Sequence, residues 1–290
     1  MRDPFVLPVP EQATYYLFGS TDKNIWEGPG CGFDCYRSTD LETWEGPIPA
    51  FRPPADFWGT TQFWAPEAHA VGGKFYLVAT FNAPGRRLRG SQMLISDKPE
   101  GPYRPHGAPI TPRTWECLDA TLWTEPDGTM WTVFSQEWLQ VHDGAMWAQS
   151  LDSNLAPSGR PNFLFNASEA AWVRPMREGI ACYDPNRPFL CYVTDGPFLH
   201  RTASGALLML WSSIGEGGYA MGLSRSLGGL LAGPWEHMPD PLVTDDGGHG
   251  MVFRAFDGHL WMTYHQPNDT PNERPVFVSI HEQGDTLVIG

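Results

Sequence analysis

The sequence predicts an all-β fold, a five-bladed β-propeller with four-stranded antiparallel blades around a central channel. Helical periodicity is scarce, whereas 31 Gly and 28 Pro among 290 residues favour short strands joined by turns. A strand–turn–strand unit recurs along the chain, and a second unit that contains a turn follows most of its copies. A repeat of roughly 50 to 75 residues with about four strands is typical of a propeller blade.

The first repeated unit has the pattern of a β-hairpin. An apolar run rich in β-branched or aromatic residues leads into a turn that contains Gly, and a second apolar run follows. The copies are AHAVGGKFYLVATF (68–81), ATLWTEPDGTMWTVFSQ (120–136), PFLHRTASGALLMLWSS (197–213) and GMVFRAFDGHLWMTYHQ (250–266). Each copy predicts two neighbouring strands of one blade.

The second repeated unit is a strand that ends near Ser and is followed by a Gly-Pro turn. Its copies are YRSTDLETWEGP (36–47), LISDKPEGPY (94–103), LSRSLGGLLAGPW (223–235) and the looser AQSLDSNLAPSG (148–159). With YYLFGS (15–20) opening the first blade, the two units give five blades in a single domain, residues 1–290. We expect the N-terminus to join the last blade and close the ring. A β-sandwich is the alternative, but it predicts evenly spaced strands without this pair of motifs.

Charge and cysteine content limit the partners and the compartment. The chain has 33 acidic and 19 basic residues, a net charge of -14, which argues against nucleic acid or an anionic membrane as a partner. The opening MRDPFVLPVPEQ lacks the apolar stretch of a signal peptide, so we expect a cytoplasmic protein. An odd number of irregularly spaced cysteines predicts free thiols: Cys31, Cys35, Cys117, Cys182 and Cys191. Nothing in the sequence predicts an oligomeric state.

An acidic or imidazole side chain stands at the predicted start of every blade. These residues are Asp3 in RDPF, Glu67 in FWAPEAH, Asp119 in CLDATLW, Asp195 in VTDGPFL and His249 in DGGHGMVF. One such Asp is most simply a turn cap, but carboxylates that converge in a channel repel one another and indicate chemistry. Two carboxyl groups that flank a glycosidic bond are the minimum for its hydrolysis. Some of the 13 Trp residues would supply rings on which a sugar stacks, and the alternative for each is a place in a Trp-rich core.

In their order and spacing these motifs resemble glycoside hydrolase family 43, over nearly the whole chain. The family consists of five-bladed propeller enzymes that cleave arabinofuranosides, xylosides and related sugars. The resemblance implies that Asp3 is the general base, Asp119 the modulator of the acid's pKa, and Asp195 the general acid of an inverting reaction. It also implies that His249 lies at the channel centre, near a water or a structural metal ion, commonly calcium. No cofactor is implied for the chemistry.

Further residues are candidates for binding the sugar. The resemblance implies that Trp64 and Glu67 line the sugar site, and Glu137 in FSQEW is another candidate. The Arg274 guanidinium would donate paired hydrogen bonds to sugar hydroxyls. The alternative is a purely structural role. Arg274 lies in HQPNDTPNERP (265–275), a polar segment that predicts a loop over a channel mouth. GEGGYAMG (215–222) lacks the features of a phosphate-binding loop and also predicts a loop.

The predicted acid departs from the family pattern. The family's acid is usually Glu before Gly-Pro, whereas this chain has TDGP, one methylene shorter. Glu178, Glu169 and Glu137 are therefore the reserve candidates. The first hypothesis is an exo-acting, inverting α-L-arabinofuranosidase that acts on plant-type polysaccharides or oligosaccharides.

Other activities stay open as alternatives. Within the family they are a β-D-xylosidase and an exo-β-galactosidase. From other classes they are a non-catalytic carbohydrate-binding propeller, which the shortened acid keeps open, and a transferase or phosphorylase. The last would need a basic cluster at the channel mouth, and GRRLRG (85–90) is the one basic cluster that the sequence shows.

Overall fold

Five four-stranded antiparallel sheets make up the fold, and each is built from four strands that are consecutive in the chain. They come from a computed structural model that describes residues 1–85, 87–176 and 190–290. In each sheet the strand order follows the chain order, apart from the direction in which it is read. The predicted all-β, five-bladed propeller is confirmed.

The strands are numbered in chain order, four to a blade. The first blade contains β1 (Arg2–Val9), β2 (Thr14–Ser20), β3 (Phe33–Ser38) and β4 (Glu45–Phe51). The second contains β5 (Thr61–Val71), β6 (Lys74–Ala83), β7 (Arg87–Ser96) and β8 (Arg104–His106). The third contains β9 (Cys117–Thr124), β10 (Met130–Gln136), β11 (Ala145–Leu151) and β12 (Pro157–Asn166).

The last two blades follow the same plan. The fourth contains β13 (Asp195–Arg201), β14 (Leu207–Gly215), β15 (Gly218–Ser226) and β16 (Trp235–His237). The fifth contains β17 (Gly248–Arg254), β18 (Leu260–Gln266), β19 (Arg274–Gln283) and β20 (Thr286–Ile289). The described helices are short: α1 (Trp138–Val141) and two 3-10 turns, Pro10–Gln12 and Ala167–Glu169. Among the described residues, no helix has the length and apolar character needed to cross a bilayer.

The predicted hairpin turns rely on glycine in a left-handed conformation. Gly73, Gly128, Gly205 and Gly258 have φ angles of 76°, 86°, 94° and 90°. Glycine adopts these angles without the steric cost that a Cβ atom would impose. The four hairpins therefore form where the sequence predicted them.

The prediction of a loop at 215–222 is wrong, because most of this segment belongs to two strands. In segment 215–222, β14 continues to Gly215 and β15 begins at Gly218, so a tight turn joins two long strands. Its glycines serve close packing as well as the turn, since a Cβ at Gly222 would lie 2.6 Å from the Trp172 ring. Tyr219 consequently lies on a strand beside the channel.

Aromatic side chains fill the space between the first two blades. Phe33, Phe51, Phe63 and Phe81 are all buried in one cluster. The rings of Phe63 and Phe81 meet edge to face with centroids 4.8 Å apart. Burying each such side chain stabilises the fold by about 2–3 kcal/mol, and this packing holds the first blade beside the second.

The N-terminus meets the last blade but adds no strand to it. β1 is the innermost strand of the first blade, and the last blade takes all four of its strands from the C-terminal part of the chain. The Met1 amino group donates a hydrogen bond of 3.0 Å to the Glu273 carbonyl oxygen. The ring is therefore closed by side-by-side packing of complete blades.

The expectation of free thiols is wrong at one position. Cys31, Cys35 and Cys117 are free, as predicted, whereas Cys191 is disulfide-bonded. Cys182 lies outside the described residues. An odd total of cysteines does not exclude a disulfide bond, and the irregular spacing did not reveal this one.

Candidate active site

All five innermost strands contain the same β-bulge at the channel. In β1, β5, β9, β13 and β17, two residues stand opposite one on the neighbouring strand. The first residue of each bulge has a left-handed backbone: Asp3 (φ 52°), Ala65 (φ 45°), Asp119 (φ 55°), Gly196 (φ 49°) and His249 (φ 51°). For a residue other than glycine this conformation costs about 1–2 kcal/mol. Bulges re-aim side chains, and here three of them bear titratable groups.

The bulges place the predicted blade-start residues in different ways. Asp3, Asp119 and His249 occupy the bulge position itself. Asp195 comes one residue before the bulge glycine of its blade, and Glu67 comes two residues after Ala65. The predicted ring of five is therefore a ring of three equivalent residues plus Asp195.

Backbone N–H groups of the bulges connect each blade to the one before it. In four blades the acceptor is a side chain on the second strand of the preceding blade: Ser20 for Ala65 (2.9 Å), Thr80 for Asp119 (2.8 Å), Ser212 for His249 (2.8 Å) and His265 for Asp3 (3.2 Å). In the fourth blade Gly196 N–H instead donates to Asp119 Oδ2, at 3.2 Å. Asp119 is thereby tied to the strand that carries Asp195.

Asp3 is held as a carboxylate. The Ser20 hydroxyl donates to its Oδ2 at 2.6 Å, and Oδ1 lies 3.2 Å from His249 Nδ1. Arg2 Nε lies 3.9 Å from the same Oδ1. Burial opposes ionisation, but the positive charges of His249 and Arg2 outweigh it and lower the pKa of Asp3 to about 2. Asp3 can accept a proton at any pH at which it is ionised, which includes neutrality.

Asp119 and Asp195 hold a proton more strongly than ordinary carboxyl groups. Burial raises the pKa of Asp119 to about 8, and the negative charge of Asp195 adds to this against the opposing charge of His249. Burial also raises the pKa of Asp195. Interacting buried carboxyl groups lose their protons as a pair, so the pair retains a proton near neutral pH.

His249 supplies positive charge between the carboxylates. Its Nδ1 lies 3.7 Å from Asp119 Oδ2, in addition to its contact with Asp3. Burial lowers the pKa of His249, but the charges of Asp3 and Asp119 outweigh that effect and raise it. Gly196 leaves room for the imidazole, because a Cβ there would lie 2.7 Å from His249 Cδ2.

These groups line a cavity of about 580 Å³. Its polar lining includes Arg2, Asp3, Asp119, Glu137, Asp195 and His249, and its aromatic lining includes Trp26, Trp64, Trp138 and Tyr219. Trp26 is 44% exposed and meets Trp64 edge to face with centroids 5.3 Å apart. The cavity thus combines acid–base groups with ring surfaces that suit a sugar.

Two predicted binding residues lie elsewhere. Glu67 is buried and pairs with His69 Nε2 at 3.2 Å, outside the cavity lining. Arg274 is exposed, and its Nη1 donates to the carbonyl oxygens of Pro271 (3.0 Å) and Glu273 (2.7 Å). The polar loop before it does reach the cavity, through residues 268–270.

Arg2 is a cavity residue that sequence reasoning missed. Its Nη1 pairs with Glu273 Oε1 at 2.9 Å, and its guanidinium carbon lies 5.0 Å from the centre of the Trp26 ring. Its position directly before Asp3 in RDPF was the available signal. The arginine that lines the cavity is therefore Arg2, on the first strand, and not Arg274.

The reserve acids differ in their suitability. The Glu169 carboxylate accepts the Asn166 N–H at 2.8 Å and caps a 3-10 turn outside the cavity. Glu178 lies outside the described residues. Glu137 lines the cavity and forms an ion pair with Arg89. Burial raises the pKa of Glu137 to about 7 against the charge of Arg89, so Glu137 is the reserve that fits.

A calcium ion near His249, held directly or through water, stays a prediction. Calcium takes six to eight oxygen ligands, and the carboxyl oxygens of Asp3 and Asp119 lie 3.2 and 3.7 Å from His249 Nδ1. Within the described residues, no group of three or more His, Cys, Asp or Glu side chains is arranged to hold a metal. The chemistry proposed for this cavity uses side chains alone.

Comparisons with known proteins identify the chain. The family model for glycosyl hydrolases family 43 matches residues 1–282. The chain belongs to glycosyl hydrolases family 43. It is therefore a glycoside hydrolase with a carbohydrate substrate, and the enzyme prediction is confirmed.

Solved structures of this family 43 fold include a near relative. The endo-arabinase of Bacteroides thetaiotaomicron VPI-5482 is 38% identical, with a TM-score of 0.88 over 98% of this chain and 95% of that chain. The α-L-arabinofuranosidase of Lactobacillus brevis shares the fold at 19% identity, with a TM-score of 0.74 over 99% and 92% of the two chains. The endo-arabinase is similar to this chain in both sequence and fold, whereas the similarity to the arabinofuranosidase shows the fold alone.

A curated relative matches over a shorter region. Xylosidase/arabinosidase 43A of Humicola insolens is 33% identical over 84 residues, which are 28% of this chain. The match spans 24% of that relative, about a quarter of its length. It supports the family 43 assignment in one part of the chain.

Proposed function

We propose that this family 43 hydrolase is an exo-acting, inverting α-L-arabinofuranosidase. The observation that carries the proposal is the opposite protonation of carboxyl groups in one cavity. Asp3, with a pKa of about 2, is ionised, whereas burial raises the pKa of Asp119 to about 8 and that of Asp195 as well. An inverting glycosidase needs such a pair, one carboxylate to accept a proton and one carboxylic acid to donate a proton.

The reaction follows from these assignments. Asp3 takes a proton from a water as the water oxygen bonds to the anomeric carbon. Asp195 gives its proton to the glycosidic oxygen as the bond from that oxygen to the anomeric carbon breaks. Asp119 opposes early ionisation of Asp195 by like-charge repulsion. Asp3 ends protonated and Asp195 ionised, and exchange with water resets both.

An arabinose-containing substrate is supported by the near relative. That relative is named an endo-arabinase, and its 38% identity extends over nearly all of both chains. The same observation favours a second candidate, endo-action on arabinan. β-D-xylosides stay an alternative, supported by the shorter match to the Humicola insolens relative. Transfer to an anion acceptor has less support, because Arg89 is paired with Glu137 and the Arg87 guanidinium lies over the Trp58 ring.

Product analysis tests the proposal. The enzyme is incubated with p-nitrophenyl α-L-arabinofuranoside, β-D-xyloside and β-D-galactoside, and with linear α-1,5-arabinan. Free arabinose as the first product supports exo-action, and oligosaccharides as the first products support endo-action. Proton NMR of the first product gives the anomeric configuration. Turnover of xyloside or galactoside alone would refute the arabinose assignment, and retained configuration would refute inversion.

Activity is expected to fall on the alkaline side of neutrality. The base Asp3 is ionised throughout the working range, since its pKa is about 2. The acid is active while the Asp119–Asp195 pair holds its proton, and this proton is lost as the pH rises through a pKa of about 8. We expect kcat/KM to be flat between about pH 5 and 7 and to fall about tenfold per pH unit above the upper pKa.

The same profile tests the role of Asp119. In Asp119→Asn the repelling charge is gone, so the alkaline limb should move to lower pH. An unmoved limb would contradict the role of Asp119 in raising the pKa of the acid. Thermal unfolding of both proteins would show whether a loss of activity reflects a loss of folded enzyme.

A further inference from the structure

We propose that Tyr219 positions Asp195 and stabilises the carboxylate that forms when Asp195 gives up its proton. The proposal rests on the acid role of Asp195 stated above. Tyr219 Oη lies 3.1 Å from Asp195 Oδ2, and Tyr219 is among the residues that line the cavity. The sequence had placed Tyr219 in a loop, where no such role would be expected.

Tyr219 is fixed from three sides. Its backbone N–H donates to Asp246 Oδ1 at 3.2 Å. Its ring stacks on the His265 imidazole with centroids 5.6 Å apart and an angle of 20° between the planes. Gly248 leaves space for the ring, because a Cβ there would lie 2.6 Å from Tyr219 Cε1. At 3% exposure, the phenol cannot turn away to solvent.

The hydrogen bond has a defined direction. Burial, helped by the charge of Asp195, raises the pKa of Tyr219 well above its usual range, so the phenol stays protonated and donates. Donation to Oδ2 leaves Oδ1 of Asp195 as the oxygen that carries the transferable proton. The short Asp side chain thus has one oxygen anchored and the other available to the leaving group.

The same bond becomes stronger as the reaction proceeds. Before proton transfer Oδ2 is the carbonyl oxygen of a neutral acid, and after transfer it belongs to a carboxylate. Hydrogen bonds to ionised acceptors are roughly twice as strong as neutral ones. An interaction that strengthens towards the transition state raises the rate of the chemical step rather than the binding of substrate.

Leaving-group dependence separates this role from a structural one. A nitrophenolate leaves with little help from an acid, whereas a sugar alcohol needs a proton. We expect Tyr219→Phe to lower kcat by about 10- to 100-fold on an arabino-oligosaccharide and by less than about threefold on the p-nitrophenyl glycoside, with KM little changed. In Asp195→Asn, adding Tyr219→Phe should cause no further loss, because there is no proton left to assist.

Tyr103→Phe is the matched control. Tyr103 is also buried and loses a hydrogen bond on substitution, from its hydroxyl to the Pro99 carbonyl oxygen at 2.7 Å, but it is not among the cavity-lining residues. It should leave both substrates unaffected once folding is checked by thermal unfolding. Equal losses of Tyr219→Phe on both substrates, or full additivity with Asp195→Asn, would overturn the proposal.

The Asp195→Asn variant distinguishes the two levels of inference. If Asp195→Asn shows no leaving-group dependence, Asp195 is not the acid, and the role of Tyr219 falls with it. If Asp195→Asn shows that dependence and Tyr219→Phe does not, the acid assignment stands and the role of Tyr219 alone is overturned.

Discussion

Replacing Asp3 with Asn is expected to lower kcat/KM by about 10³- to 10⁴-fold, the upper range for loss of a general base. The amide keeps the shape of the carboxylate and its contact with the Ser20 hydroxyl, but it has no basic oxygen to take a proton from water. The loss should be similar for p-nitrophenyl and oligosaccharide substrates, because water needs the base whichever group leaves. Steady-state kinetics on both substrates measure the effect.

An exposed carboxylate provides the control for that substitution. Asp257 lies on the turn between β17 and β18, and its side chain is 63% exposed. Asp257→Asn should retain wild-type activity and unfold close to the wild-type temperature. Asp3→Asn should unfold at a lower temperature, because the amide loses the ion pair with His249, but it should stay folded at the assay temperature. If folded Asp3→Asn keeps more than a tenth of wild-type activity, another group must be the base.

Replacing Asp195 with Asn should have the second largest effect, and one that depends on the substrate. On an arabino-oligosaccharide we expect kcat to fall by about 10²- to 10³-fold, because the leaving sugar must depart without a proton. On the p-nitrophenyl glycoside the loss should stay below about tenfold. A plot of log kcat against the pKa of the leaving group, steeper for the variant, is the measurement.

Glu137 is the alternative acid if Asp195→Asn shows no dependence on the leaving group. Glu137 also lines the cavity, and burial raises its pKa to about 7. If Asp195→Asn loses activity equally on all leaving groups while Glu137→Gln shows the steep dependence, Glu137 is the acid. The Arg89 ion pair makes that outcome less expected, because a neighbouring guanidinium stabilises the carboxylate form of Glu137.

The fold was predictable because its signals are local. Each hairpin has its own apolar runs and its own turn glycine, so Gly73, Gly128, Gly205 and Gly258 could be read without knowing the tertiary structure. The prediction of a loop at 215–222 was wrong. Gly222 in this segment allows close packing against Trp172, and only the folded chain shows that contact. Composition alone suggested a loop where two strands meet.

The candidate site was predictable only in part, because the channel depends on backbone geometry. Asp3, Asp119 and His249 stand at bulges whose left-handed φ angles have no marker in the sequence, since Ala65 takes the same conformation. Glu67 missed the cavity because the bulge of its blade lies two residues earlier. Arg274 lies outside the cavity. Arg2 and Tyr219 line it, because the fold brings together segments that are far apart in the sequence.

The repeated bulge gives the channel five similar backbone positions, one in each blade, and a different set of residues stands at them. Asp, Ala, Asp, Gly and His stand on nearly the same backbone, with φ angles between 45° and 55°. The different roles of the blades therefore depend on the side chain at the bulge position, or in the fourth blade on Asp195 directly before it, and not on five different architectures. A propeller built this way can exchange one chemistry for another by substitution at a bulge position, while four of the five hydrogen bonds that join a bulge to the preceding blade stay in place. The fifth ends on the Asp119 side chain and would change with that residue.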